Sequence, residues 1–245
     1  MDEGTAWEWS RGLTGLVAGA TLVVLALFLL GVREYARHGD AIVHDMDRAV
    51  AEVAHEQAIR YERAGDIAKA KEYYLLALQG RFDNRGGRPD ALMRLGRMLR
   101  WHETPEAALP YLRQASVQPD CDLAVFAPLC DALMAAQQND ELVRTAQLYL
   151  AKATTAKDDE LRAQAKYYEG KALLGQGQKD AALEAFVEAE TIKRGGPSAC
   201  EAGALLYSLG ETEKAKPYLE ICAYSSGSSQ AEYAAQLLKR MAEGS

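Results

Sequence analysis

Apolar residues recur along most of the chain at helical spacing, i, i+4 and i+7, and no stretch of useful length alternates like a half-buried strand. The pattern predicts an all-α protein. One segment departs from amphipathic spacing. Residues 13–32, LTGLVAGATLVVLALFLLGV, carry no charged side chain. Twenty helical residues rise about 30 Å, the thickness of a bilayer's hydrocarbon core, so the run predicts a single N-terminal transmembrane helix. The preceding residues hold Asp2, Glu3 and Glu8 against Arg11, and Arg33, Glu34 and Arg37 follow at once. A cleaved signal wants a basic start, a shorter apolar core and a small-x-small site, so the anchor is expected to stay. Trp7 and Trp9 stand where interfacial aromatics belong. Gly15 and Gly19 have the small-xxx-small spacing that permits anchor-mediated self-association.

Beyond the run the chain repeats itself. In AIRYERAGDIAKAKEYYLLAL a periodic helix reaches Tyr61, Gly65 makes the turn, and a second helix sets Ala70, Tyr74 and Ala77 on one face. Gly170 and Leu173, a turn at Gly177, then Ala182, Phe186 and Ala189 repeat that spacing. So do Gly203, Leu206, Gly210, Ala215, Leu219 and Cys222, and again Leu95, Gly96, Leu99, Ala108, Leu112 and Ala115. A degenerate copy offers Ala146, Leu150 and Ala153. The small first residue lets two helices approach, the larger second fills the gap, and the small third admits the next hairpin. The anchor alanines at 70, 108, 146, 182 and 215 are 38, 38, 36 and 33 residues apart.

This resembles the tetratricopeptide repeat, a 34-residue helix-turn-helix with a small residue in its first helix and an A-xxx-F-xx-A set in its second. The resemblance implies an α-solenoid of about five hairpins and a C-terminal capping helix. The expected organisation is a tail at 1–12, the anchor at 13–32, a helical juxtamembrane linker at 33–50, repeats at 51–229, and a capping helix with its tail at 230–245.

Apolar residues make up 49% of the chain, enough for a continuous core, and the net charge is −7, with about −5 falling after the first twelve residues. That balance argues against nucleic acid as a partner. Cys121, Cys130, Cys200 and Cys222 form no CxxC pair and match no zinc spacing, so they are expected to be free thiols; Cys200 and Cys222 lie on facing helices, but the register points them to different sides. No metal site, cofactor loop, GxSxG, HExxH or Cys/His nucleophile pattern appears, so neither an enzyme nor a cofactor is expected.

A solenoid of this type exposes a concave face lined by the first helix of each hairpin, and such faces bind protein or peptide segments. In the register of the resemblance, Met93, Arg97, Arg100, Trp101, Tyr167, Lys171 and Tyr207 face this groove, where cations among aromatics suit an acidic or aromatic segment. Ile59 stands where the carboxylate-clamp members of the family carry Asn, so capture of a chain terminus is not expected. The implied role is a membrane-anchored scaffold or co-chaperone in envelope protein assembly; the alternative is a fixed structural subunit of a membrane complex. Charge counting at the anchor's ends leans to a cytoplasmic repeat domain and the resemblance to an extracytoplasmic one on the inner membrane, with the second slightly favoured.

Overall fold

The computed structural model of the chain describes residues 3–82, 86–119, 121–224 and 229–243, with side chains from residue 23 onward, residue 42 excepted. Those residues are all-helical. The elements are α1 (Glu3–Ala64), α2 (Ile67–Gln79), α3 (Gly87–His102), α4 (Pro105–Ser116), a 3-10 turn at Leu123–Val125, α5 (Phe126–Ala135), α6 (Asn139–Ala156), α7 (Asp159–Gly175), α8 (Lys179–Ile192), α9 (Pro197–Ser208), α10 (Thr212–Tyr224) and α11 (Ser229–Glu243). The end of α1 pairs with α2, and α3/α4, α5/α6, α7/α8 and α9/α10 follow as hairpins; each second helix also packs on the first helix of the next pair. Local chemistry sets the boundaries. Asp66, Thr104 and Asp158 accept from the backbone N–H three residues on at 3.2, 3.2 and 3.0 Å, and Pro105 and Pro197 open α4 and α9. Gly65, Gly177 and Gly210 turn the chain at φ of 77°, 79° and 80°, where a side chain would be strained.

The expected membrane anchor is corrected. Among the described residues no helix is long and apolar enough to cross a membrane. The single-pass fold description and the inner-membrane localisation drawn from it therefore fall. Residues 13–22, Gly15 and Gly19 among them, lie outside the residues whose side chains are described. The segment expected as a linker at 33–50 is continuous with its neighbours in the 62-residue helix α1.

The hairpins share one packing device. Twelve residues before each anchor stands a small residue: Ala58, Gly96, Gly170 and Gly203 precede Ala70, Ala108, Ala182 and Ala215. A Cβ built on Gly96 would lie 2.5 Å from Leu112, on Gly170 2.5 Å from Phe186, and on Gly203 2.9 Å from Leu219. The large residue of the second helix thus occupies the volume the glycine leaves free. The third hairpin corrects the expected register. Its turn residue is Gln137, at φ 55°, and five residues on, the interval from Gly65 to Ala70, is Leu142. The fully buried set is Leu142, Ala146 and Tyr149 rather than Ala146, Leu150 and Ala153; Ala153 is also buried, but Leu150 is not. Cys130, twelve residues before Leu142, faces Ala146 in the register, so a larger first-helix residue is matched by a smaller second-helix one. Tyr149 stacks on Phe126 at 5.2 Å between ring centroids.

The cysteine expectation also changes. Cys200 and Cys222 form a disulfide, with Cα atoms 4.9 Å apart, while Cys121 and Cys130 are free. The physical cause is the close crossing at Gly203 and Leu219: three residues back on α9 and three on along α10, the chains are still near enough for the bond. Cys200 is buried, not in the groove. Burial pushes the Cys130 thiol well above its ordinary value, which leaves it inert. After α10, α11 buries Ala231, Ala234 and Leu237 over the last hairpin.

Two outcomes test this packing. Gly170→Ala should lower stability by about 1–3 kcal/mol through overpacking against Phe186, and Phe186→Leu in the same chain should recover part of the loss, read as a non-additive cycle by urea unfolding. Alkylation under denaturing, non-reducing conditions should modify two of the four cysteines. Reduction should cost the last hairpin about 3 kcal/mol, since the bond closes a 22-residue separation.

Candidate partner-binding groove

The first helices of the first four hairpins touch in succession, α1 with α3, α3 with α5 and α5 with α7, and α9 touches the capping helix α11, which places them on the tighter inner side of the stack. The groove residues expected from the register all lie on these helices, in three different situations. Met93 and Tyr167 are half-buried because they share the register position of Cys200 and lean into their own hairpins; Tyr167 packs on Phe186 and edges Tyr168. Trp101 is 70% exposed and Tyr207 is half-buried. The cations are already engaged.

Each cation meets an acid of a neighbouring hairpin. Arg97 reaches Glu62 at 3.4 Å, Arg100 reaches Asp131 at 2.8 Å while lying over the Trp101 ring at 4.5 Å, and Lys171 reaches Glu201 at 3.0 Å. Further groups complete the ladder. Glu62 also accepts from the Tyr74 hydroxyl at 2.5 Å and pairs with Arg94, Asp131 accepts from the Tyr168 hydroxyl at 2.8 Å, and Glu201 accepts from the Gln230 amide at 3.2 Å. Asp90 takes both Arg94, at 2.8 Å, and His55, at 3.0 Å. Burial resists ionisation of Asp90, yet the hydrogen bonds from His55 and Arg94 prevail and hold its carboxyl below the ordinary value. Burial and the bond to Glu62 raise Tyr74, and burial beside Asp131 raises Tyr168, so both stay neutral donors.

The acids of this ladder are the residues of the inner face that motif reasoning missed. Glu62, Asp131 and Glu201 all sit on first helices, so counting register positions would have placed them in the groove. Which cation each meets depends on the rotation between hairpins, which no spacing in the sequence encodes.

Two depressions open along the inner helices. One, of about 350 Å³, is lined by Pro89, Asp90, Met93, Cys121 and Val125. The other, of about 340 Å³, lies where the start of α7 meets the α8–α9 loop; Gln164, Tyr167 and Tyr168 form one wall, and Lys193, Pro197 and Ser198 the other. Lys193 pairs with Glu160 at its rim, and Glu190 holds the loop by accepting from the Gly195 N–H at 2.7 Å. Burial pushes the Tyr167 hydroxyl up to about 12, so it offers a neutral phenol to anything seated there. Among the described residues no group of His, Cys, Asp or Glu side chains could hold a metal ion.

The ladder has a pH signature. The folded-state value of Asp90 lies below its unfolded value, so its contribution is complete above the ordinary carboxylate range and is lost as pH falls through the folded value. Asp90→Asn should cost roughly 1 kcal/mol at pH 7, discounted for partial exposure, and the gap in melting temperature to the parent should close as the pH is taken towards 3.

No family model matches the sequence, and no curated protein matches it. Solved structures do. MamA (41 to the end) from Desulfovibrio magneticus RS-1 is 16% identical, over 73% of this chain and 98% of that one, at a TM-score of 0.59. A crystal structure of MamA protein is 18% identical, over 79% and 94% of the two chains, also at 0.59. The pilF protein of Pseudomonas aeruginosa is 20% identical, over 81% and 95%, at 0.58. At these identities the likeness is one of fold, and together with the hairpin register it makes this chain a tetratricopeptide-like helical solenoid.

Proposed function

We propose that the protein is a non-catalytic adaptor whose inner face holds a segment of a partner protein. The observation that supports this most is the division of labour on that face. Arg97, Arg100 and Lys171 are neutralised by Glu62, Asp131 and Glu201, while Met93 and Tyr167 line the two depressions and Trp101 is largely exposed. A paired ladder stiffens the groove at little cost in net charge, and aromatic and thioether surface supplies contact area. The favoured ligand is therefore an extended segment with apolar or aromatic anchors, preferred over an acidic tail. A role in assembling or chaperoning partner proteins fits such a surface. A fixed subunit of a larger complex would use the same groove with a single permanent occupant.

The experiment places a photo-cross-linking phenylalanine at Tyr167 and, as control, at Glu184, which is exposed on the second helix α8. Partners captured from position 167 and absent from 184 should bind the Tyr167→Ala chain about tenfold or more weaker, as expected for a central aromatic contact. Equal capture at both positions, or unchanged affinity of the variant, counts against the groove. Several substoichiometric partners favour the adaptor reading, and one stoichiometric partner the fixed subunit.

A further inference from the structure

The solenoid uses only the last third of α1. Ala51, Ala54 and Ala58 are buried there, and the face they occupy is turned about 95° around the helix from a second apolar stripe. On that stripe Val43, Met46, Val50 and Val53 are exposed by 50, 63, 49 and 58%. The alternation of three and four residues continues backwards through Gly39, Ala36 and Val32 into the apolar run at Leu29 and Leu25. All the charged and histidine side chains between residues 33 and 53 avoid these positions. A 3.5-residue period kept clear of charge over the three heptads of residues 33–53, and running into the apolar residues 23–32, is the pattern of a coiled-coil seam, narrower than the face that buries a helix in its own domain.

We propose that α1 pairs with α1 of a second copy of this chain as a parallel, two-stranded coiled coil along residues 25–53. Val43 and Val50 take the positions where β-branched residues favour two parallel strands. In that register the flanking Arg33 and Asp40 face the partner copy's Phe28 and Tyr35, so no like charges meet. An antiparallel pair centred on the same stretch sets Asp40 against Asp40. The area is sufficient: the exposed seam residues, with Tyr35 beside them, offer on the order of 800 Å² per chain, one partner's share of a stable interface. The dimer would carry two grooves on one stalk, independent of what either groove holds.

The test uses the full chain in aqueous buffer without detergent, so that nothing competes for the seam. Met46→Cys places a thiol at the seam, and Arg37→Cys places one on the opposite side of the helix, with the parent chain measuring any background from Cys121. Under mild oxidation Met46→Cys should yield a disulfide dimer at least tenfold faster than Arg37→Cys. Val43→Asp with Val50→Asp should abolish that dimer while leaving the melting of the solenoid unchanged, and sedimentation of the parent chain should give twice the chain mass. A monomer mass, equal rates at 46 and 37, or a dimer that survives the double substitution each overturns the proposal.

Discussion

The closeness of two helices at one crossing governs the whole structure. In four of the five hairpins a residue no larger than alanine on the first helix lies against a large residue on the second, and in three of them that small residue is glycine with no room for a Cβ. Dispersion and burial both depend on that approach, because a gap of even half an ångström forfeits much of the contact energy. The remaining hairpin reverses the pairing, with the larger Cys130 on the first helix and the smaller Ala146 on the second, both fully buried.

Several other features follow from this crossing. The disulfide forms because Gly203 brings α9 and α10 together. Met93 and Tyr167 are held half inside their hairpins by the same geometry, and this fixes how much of each is left for a partner. The ladder of ion pairs depends on it one level further on. Glu62, Asp131 and Glu201 meet their cations only when neighbouring hairpins stack at the observed rotation, and the pairs are partly shielded because the helices that carry them are close. Partly buried pairs of this kind specify an arrangement more than they stabilise it.

The inner face therefore combines a rigid polar framework with a few unspent apolar groups. This is the reverse of the picture suggested by composition along the helices, where cations stand out and aromatics are sparse. Charges that look available in a sequence are spent once their neighbours are in place, whereas Trp101 stays largely exposed even with Arg100 over its ring.

The helical class, the turns at Gly65, Gly177 and Gly210, and the packing registers of four hairpins were legible from the sequence, because each is a local rule. A glycine at positive φ and an i, i+4, i+7 face need no knowledge of the rest of the chain. The third hairpin was not legible. Its turn uses Gln137 in place of glycine, and the alanine at 146 carries the spacing of an anchor while occupying the next position along. The Cys200–Cys222 bond and the pairing of the groove cations were likewise hidden, since both are set by distances across helix crossings. The apolar run at 13–32 led to the expectation of a bilayer anchor, because hydropathy reports the affinity of a segment for an apolar environment without naming it. Sequence alone determined which residues seek burial and at what period; the tertiary structure decided which surfaces meet, because contact between helices depends on volumes and rotations that no single helix contains.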